Sequence, residues 1–219
     1  MKIIIGSLIG FVFALLAPQL VRAQGTNYLS NLAQASAGSL AVGSDSWWAA
    51  AFHTGTNPNG YSLNSIQLEM ADASGSPGNF TVMLYAGGDW PAGFSLGSSI
   101  ATLDGSLSPT TAGIYTFTTV SSLLLSPQDT YSIVITSGTA VADGAFEWSY
   151  STNLTSATGS WGSYPFALNT DGVYVDQQHY HESPQFAINV TDAPEPGVLG
   201  LFALGGLAFL WHRRKTKAA

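Results

Sequence analysis

The segment Ile66-Gln67-Leu68-Glu69-Met70 decides the fold class, because large apolar and polar side chains alternate along it without a break. Successive side chains of a β-strand point to opposite faces of a sheet, whereas an amphipathic helix repeats its apolar residues every three or four positions. The segment therefore predicts a β-strand whose Ile66, Leu68 and Met70 side chains face a core.

The same alternation recurs five more times, at 80–84, 115–118, 131–135, 146–150 and 186–190. Turn-forming clusters separate these segments, such as Asn57-Pro58-Asn59-Gly60 and Asp143-Gly144. No helical period competes inside residues 24–192, and neither an internal repeat nor a second domain is visible. We expect an all-β domain, an antiparallel β-sandwich of jelly-roll type.

The N-terminus has the three parts of a secretory signal peptide. Lys2 supplies the charge, residues 3–17 are apolar, and Val21-Arg22-Ala23 has apolar or small side chains at the −3 and −1 positions. We expect residues 1–23 to be removed before Gln24. An uncleaved N-terminal anchor is the alternative.

The C-terminus combines a stiff turn, an apolar run and a basic end. Pro194-Glu195-Pro196 precedes residues 197–211, which carry no charge, and a cluster of cations follows. Such a helix would span roughly 22 Å, against about 30 Å of bilayer hydrocarbon, so we expect a short transmembrane helix. The cations would keep the C-terminus on the cytoplasmic side. The alternative, a buried helix of a soluble domain, fits poorly because the run has four glycines and no polar face.

This tail resembles the PEP-CTERM sorting signal of Gram-negative bacteria. The resemblance is carried by the apolar run and by six flanking residues: Pro194, Glu195, Pro196, Arg213, Arg214 and Lys215. It implies recognition by an exosortase, a membrane cysteine protease-transpeptidase, at the inner membrane, followed by transfer to the cell surface. His212 and the extension 215–219 are small departures from the pattern.

The charge distribution restricts the partners that residues 24–192 can have. All six Lys and Arg of the chain lie outside this part, which holds 12 of the 13 acidic residues and therefore has a formal charge of −12. Nucleic acid is excluded as a partner, because phosphate binding needs Lys and Arg. The absence of cysteine excludes disulfides, thiol catalysis and thiolate metal sites.

A second resemblance covers most of the body, roughly residues 27–190. Residues 40–47, 52–55, 61–66, 80–85, 112–117 and 125–131 are similar to strand-and-turn segments of the choice-of-anchor R domain. Such domains are attached to interchangeable surface anchors and carry no established activity. The resemblance therefore implies a β-fold and a surface location but no mechanism.

Two motifs that could carry chemistry are weak in their context. Gly93-Phe94-Ser95-Leu96-Gly97 matches the nucleophile elbow, but that turn requires a preceding buried strand and a following helix, which the flanking sequence does not predict. His179 and His181 could share one face of a strand and bind Zn²⁺ or Ni²⁺. Their flanks are typical of an exposed loop, so we expect no metal site there.

Carboxylates offer two further hypotheses. Glu69, Glu147 and Glu182 could supply the acid pair of a glycan hydrolase, although the sequence cannot place them relative to one another. A structural Ca²⁺ held by turn aspartates is the more plausible use of the negative charge, and we expect no other cofactor.

Three tryptophans are candidates for stacking against sugar rings. Trp47 and Trp48 are adjacent, and if they lie on a strand they must face opposite sides of it, so one of them can be exposed. Trp90 and Trp161 lie in Gly- and Pro-rich segments. Trp47, Trp90 and Trp161 would be the contacts of a carbohydrate-binding module, although tryptophans more often fill cores or anchor loops.

The sequence thus predicts a signal peptide at 1–23, a β-domain at 24–192 and a sorting and anchor segment at 193–219. We expect a non-enzymatic protein of the cell surface or extracellular matrix, with an exosortase and extracellular polysaccharide as partners. A carbohydrate-binding module is the alternative, and a glycan hydrolase is the lesser one.

Overall fold

The computed structural model describes residues 26–87, 96–105, 107–152, 162–168, 174–176 and 182–193. The described residues form fourteen strands and one short 3₁₀ turn, Val141–Asp143. The strands are β1 Thr26–Ser30, β2 Gly38–Val42, β3 Trp47–His53, β4 Tyr61–Gly75, β5 Thr81–Ala86, β6 Ser99–Gly105, β7 Gly113–Thr119, β8 Leu123–Leu125, β9 Thr130–Thr136, β10 Gly144–Ser151, β11 Gly162–Leu168, β12 Tyr174–Asp176, β13 Ser183–Pro184 and β14 Phe186–Asp192. The predicted signal peptide and C-terminal helix lie outside these residues.

The strands are joined by hydrogen bonds into one curled antiparallel sheet. Its main order is β1-β14-β4-β7-β6-β5-β9-β3-β11-β12, and β10 lies beside β4 with β2 and β13 as its other neighbours. The prediction of an all-β antiparallel fold is confirmed. No helix in the described part of the chain is long and apolar enough to cross a membrane.

Strand β4 has 15 residues, and on one side its hydrogen-bonded partner strand changes part-way along it. Its first half pairs with β14, with Leu68 opposite Phe186, and its second half pairs with β10, with Met70 opposite Trp148. Gln185 lies at this branch: its N–H donates to the Ser149 carbonyl at 2.8 Å, and its carbonyl accepts the Glu69 N–H at 3.0 Å. The sheet therefore bends around a core instead of remaining open.

The core lies on the inner face of the curled sheet and contains most of the side chains that the alternation predicted, while Phe80, Tyr115 and Tyr150 are partly buried against it. Ile66 and Leu68 are fully buried. The Phe80 ring packs edge-on against Phe146 with centroids 4.9 Å apart, and lies 5.7 Å from the Phe117 ring. Aromatic contacts of this kind stabilise the core beyond the burial of their surface.

Strand β3 is buried on both faces, which explains why its sequence shows no alternation. Trp48, Ala50 and Phe52 belong to the core cluster. Ala49 and Ala51 are also buried, in a second apolar cluster on the outer face of the sheet. Because the middle of β3 meets water on neither face, no polar residue marks that part of the strand.

Candidate functional site

The end of β14 is where the C-terminal tail leaves the sheet. Val190, opposite Leu63, is fully buried, and Asp192 lies opposite Tyr61. The N–H of Ala193, the last described residue, donates to the Gly60 carbonyl at 3.1 Å. The first residue of the tail is therefore held by a backbone hydrogen bond.

The side chain of Tyr28 on β1 contacts both Tyr61 and Asp192 at this end of the sheet. Its ring packs edge-on against Tyr61 at 5.5 Å, and its hydroxyl donates to the Asp192 carboxylate. Partial burial, followed by the hydrogen bond and the negative charge of Asp192, raises the pKa of Tyr28 to about 12. The phenol therefore remains a proton donor at any physiological pH.

The turn before β4, predicted from Asn57-Pro58-Asn59-Gly60, supplies the carbonyl to which the tail is attached. The Gly60 N–H donates to the Asn57 carbonyl at 3.0 Å, and the Asn57 side-chain amide donates to the Gly60 carbonyl at 3.1 Å. Gly60 has φ = +77°, and a Cβ there would lie 2.4 Å from the Leu125 carbonyl oxygen. Only glycine fits this position without a shift of the backbone.

The comparison with protein families identifies the segment that follows. Residues 192–215 match the PEP-CTERM protein-sorting motif. All six predicted sorting residues, Pro194, Glu195, Pro196, Arg213, Arg214 and Lys215, fall inside the match and outside the described residues. The motif implies an exported protein that undergoes membrane-associated sorting in a Gram-negative bacterium, with an exosortase as the processing partner. The comparisons with curated proteins and with solved structures found no match.

Of the three candidate glycan-stacking tryptophans, the structure describes Trp47. It lies on the outer face of β3, half-buried against the apolar cluster of Ala49, Ala51 and Val134, while its neighbour Trp48 is in the core. The Trp47 indole N–H donates to the Ser44 carbonyl at 3.2 Å. Trp90 and Trp161 lie outside the described residues, so glycan stacking by these three side chains remains a prediction.

Two of the three candidate acids share a face of the sheet. Glu147 lies opposite Ala71, and Glu69 is two residues before Ala71 on the same strand, so the two carboxylates are diagonal neighbours. The Ser39 hydroxyl donates to Glu147 at 2.7 Å. Burial raises the pKa of Glu69, whose Oε2 is buried without a hydrogen-bond partner among the described residues. Glu182 lies elsewhere, immediately before β13.

No group of three or more His, Asp or Glu side chains in the described part of the chain could hold a metal ion. His179, His181 and Ser95 of the predicted motifs lie outside the described residues. The structural Ca²⁺ therefore remains a prediction without assigned ligands.

A buried polar cluster lies at the point where β4 changes its pairing partner, and sequence reasoning missed it. The Asn31 amide donates to the Pro184 carbonyl at 2.9 Å, and its side-chain oxygen accepts the Phe186 N–H at 2.7 Å. The Gln185 side-chain amide donates to the Gln34 carbonyl at 2.8 Å, which leaves Gln185 Oε1 buried without a partner among the described residues. No local signal could find this cluster, because residues 31 and 185 are 154 positions apart.

Proposed function

We propose that the protein is a non-enzymatic, structural or interaction protein of the cell surface or extracellular matrix, delivered there by exosortase-dependent sorting. The observation that carries the proposal is the sorting motif at 192–215, which continues without a spacer from the last strand of the sheet. The predicted signal peptide at 1–23 would export residues 24–192 as one domain, and the tail at 193–219 would hold it at the membrane until processing.

Two further features support a role outside catalysis. The body contains no Lys or Arg that could bind an anionic substrate, and no cysteine nucleophile. We also propose that the curled sheet corresponds to a jelly-roll sandwich of the choice-of-anchor R type.

The test is the intact mass of the protein recovered from the cell envelope of a host with an exosortase and from the same host without it. We expect the mass to lack residues 1–23 in both hosts and to change at the tail only where the exosortase is present. A full-length product in the cytosol would contradict export, and an identical tail in both hosts would contradict sorting.

A carbohydrate-binding module is the second candidate, and the position of Trp47 on the outer face of β3 favours it. An indole on the outer face of a sheet is the kind of platform on which sugar rings stack. This alternative is tested by comparing the binding of the full chain to a glycan array with the binding of its Trp47→Ala variant. Retention of every bound glycan by the variant would remove Trp47 from consideration.

A further inference from the structure

The end of the sheet that releases the tail also exposes apolar side chains. Leu124 on β8 is 61 % exposed, and Val120, in the loop before β8, is 85 % exposed. We call these two residues the exit rim. Transfer of such side chains from water to an apolar environment is favourable.

The register of the sheet places the exit rim next to the tail. Leu124 and Thr191 both pair with Ser62, one from each side of β4, so they lie in the same row across three strands. Two inter-strand spacings separate them by about 10 Å. Leu124 also lines, together with Asp192 and Ala193, a surface groove of about 470 Å³.

The linker between the sheet and the apolar tail is short. Only Pro194, Glu195 and Pro196 separate Ala193 from Gly197, where the uncharged run begins. Even fully extended, this connection reaches no more than about 14 Å. An inserted tail would therefore hold this end of the sheet at the polar surface of the bilayer, whose headgroup layer is itself several ångströms thick.

We infer that the exit rim is a lipid-contact surface: Val120 and Leu124 rest in the interfacial region of the membrane while the tail is inserted. This inference rests on the proposed function, because the tether supplies the proximity that so small an apolar surface needs. The contact is apolar rather than electrostatic, since residues 24–192 contain no Lys or Arg to attract anionic headgroups. It sets the orientation in which the tail is presented for cleavage.

The opposite end of the molecule supplies a matched control. Leu107 is 70 % exposed and lies in the loop between β6 and β7, two residues after Gly105, which pairs with Phe117 opposite Ile66. Ile66 is five positions from Tyr61 along β4, which corresponds to about 17 Å, and the loop continues from Gly105 away from Tyr61. Leu107 is therefore at least as exposed as Leu124 but lies more than about 17 Å further from the end of the sheet to which the tail is attached.

Because the chain contains no cysteine, a single introduced cysteine can be labelled at a chosen position. The test compares two full-length variants, Leu124→Cys and Leu107→Cys, each labelled with one environment-sensitive fluorophore. Each labelled protein is mixed with phosphatidylcholine vesicles, with and without spin-labelled lipid. We expect the probe at 124 to shift to shorter wavelength and to be quenched severalfold more strongly than the probe at 107.

Flotation of both labelled proteins with the vesicles separates the two hypotheses. If neither protein floats, the tail does not insert and the proposed function fails. If both float and the two probes are quenched equally, the lipid contact is wrong while membrane sorting stands. A wavelength shift at 124 that spin-labelled lipid does not quench would assign the rim to another protein surface, such as a second copy of the chain, and would also overturn the inference.

Discussion

Glu69 and Glu147 are diagonal neighbours on one face of the sheet, and their surroundings differ. Glu147 accepts a hydrogen bond from Ser39, whereas Glu69 has one buried oxygen without a partner among the described residues. Burial raises the pKa of Glu69, so its charged form is unfavourable in the folded protein. A group with a raised folded-state pKa stabilises the fold below its unfolded pKa, about 4.3 for glutamate, and this stabilisation is lost as pH rises through the folded value.

We therefore predict that Glu69→Gln increases the free energy of unfolding at pH 7 and that the gain disappears near pH 4. The measurement is urea unfolding of the detergent-solubilised full chain at both pH values. Glu147→Gln is the control and should not stabilise, because it weakens a hydrogen bond already made. Loss of stability in the Glu69 variant at pH 7 would show that the carboxylate is needed in its charged form.

We predict that replacing the two adjacent tryptophans has different effects on the free energy of unfolding. Trp48 is 8 % exposed in the core, and Trp47 is half-buried on the outer face; each indole N–H donates to a backbone carbonyl. Trp48→Ala should cost about 3–5 kcal/mol of unfolding free energy, because it leaves a cavity. Trp47→Ala should cost no more than about 2 kcal/mol, since less apolar surface is lost. Equal costs in urea unfolding would mean that the outer cluster is packed like the core.

At the scale of elements, β1 and the turn before β4 hold the end of β14. Tyr28→Phe removes the hydrogen bond to Asp192 but retains the ring contact with Tyr61. We expect a loss of about 1 kcal/mol and faster amide exchange at Asp192 and Ala193. Tyr115→Phe is the control: the Tyr115 hydroxyl donates to the Thr111 carbonyl at the other end of β4, so this change should leave exchange at 192–193 unaltered. Unchanged exchange in the Tyr28 variant would show that the Tyr28 hydroxyl does not hold the end of β14.

The turn itself can be tested through its glycine. Gly60→Ala places a methyl group against the Leu125 carbonyl at a positive φ, and should lower the melting temperature with a cost of at least about 1 kcal/mol. Gly78→Ala is the control, because the nearest atom to its Cβ lies 3.8 Å away. We expect that variant to remain within about 0.5 kcal/mol of the natural protein. A neutral Gly60→Ala would show that the turn relaxes without cost.

For the whole molecule, the one-sided charge has a consequence for stability. With 12 acids and no Lys or Arg between residues 24 and 192, the compact state repels itself at neutral pH. Raising the salt from about 0.01 M to about 1 M shortens the Debye length from roughly 30 Å to roughly 3 Å. The melting temperature at pH 7 should therefore rise with NaCl, and the rise should shrink at pH 4. A melting temperature that falls with salt would indicate net attraction among the charges.

Sequence reasoning predicted the parts that depend on neighbouring residues. The alternation around Ile66, Leu68 and Met70 predicted both the strand and its buried face, and Asn57-Pro58-Asn59-Gly60 predicted the turn that holds the tail. It missed β3, because a strand buried on both sides carries no polar marker. It also missed Gln185 and Asn31, whose roles appear only when distant strands meet.

The sequence by itself determined the fold class, the charge of the body and the sorting motif, because each is written in consecutive residues or in composition. Only the tertiary structure decided where β4 changes partner, which acids share a face, and that Leu124 lies in the same row as Thr191. These depend on strand pairing between segments far apart in the chain. Pairing of that kind is selected by the packing of the whole sheet around its core, so no single segment encodes it.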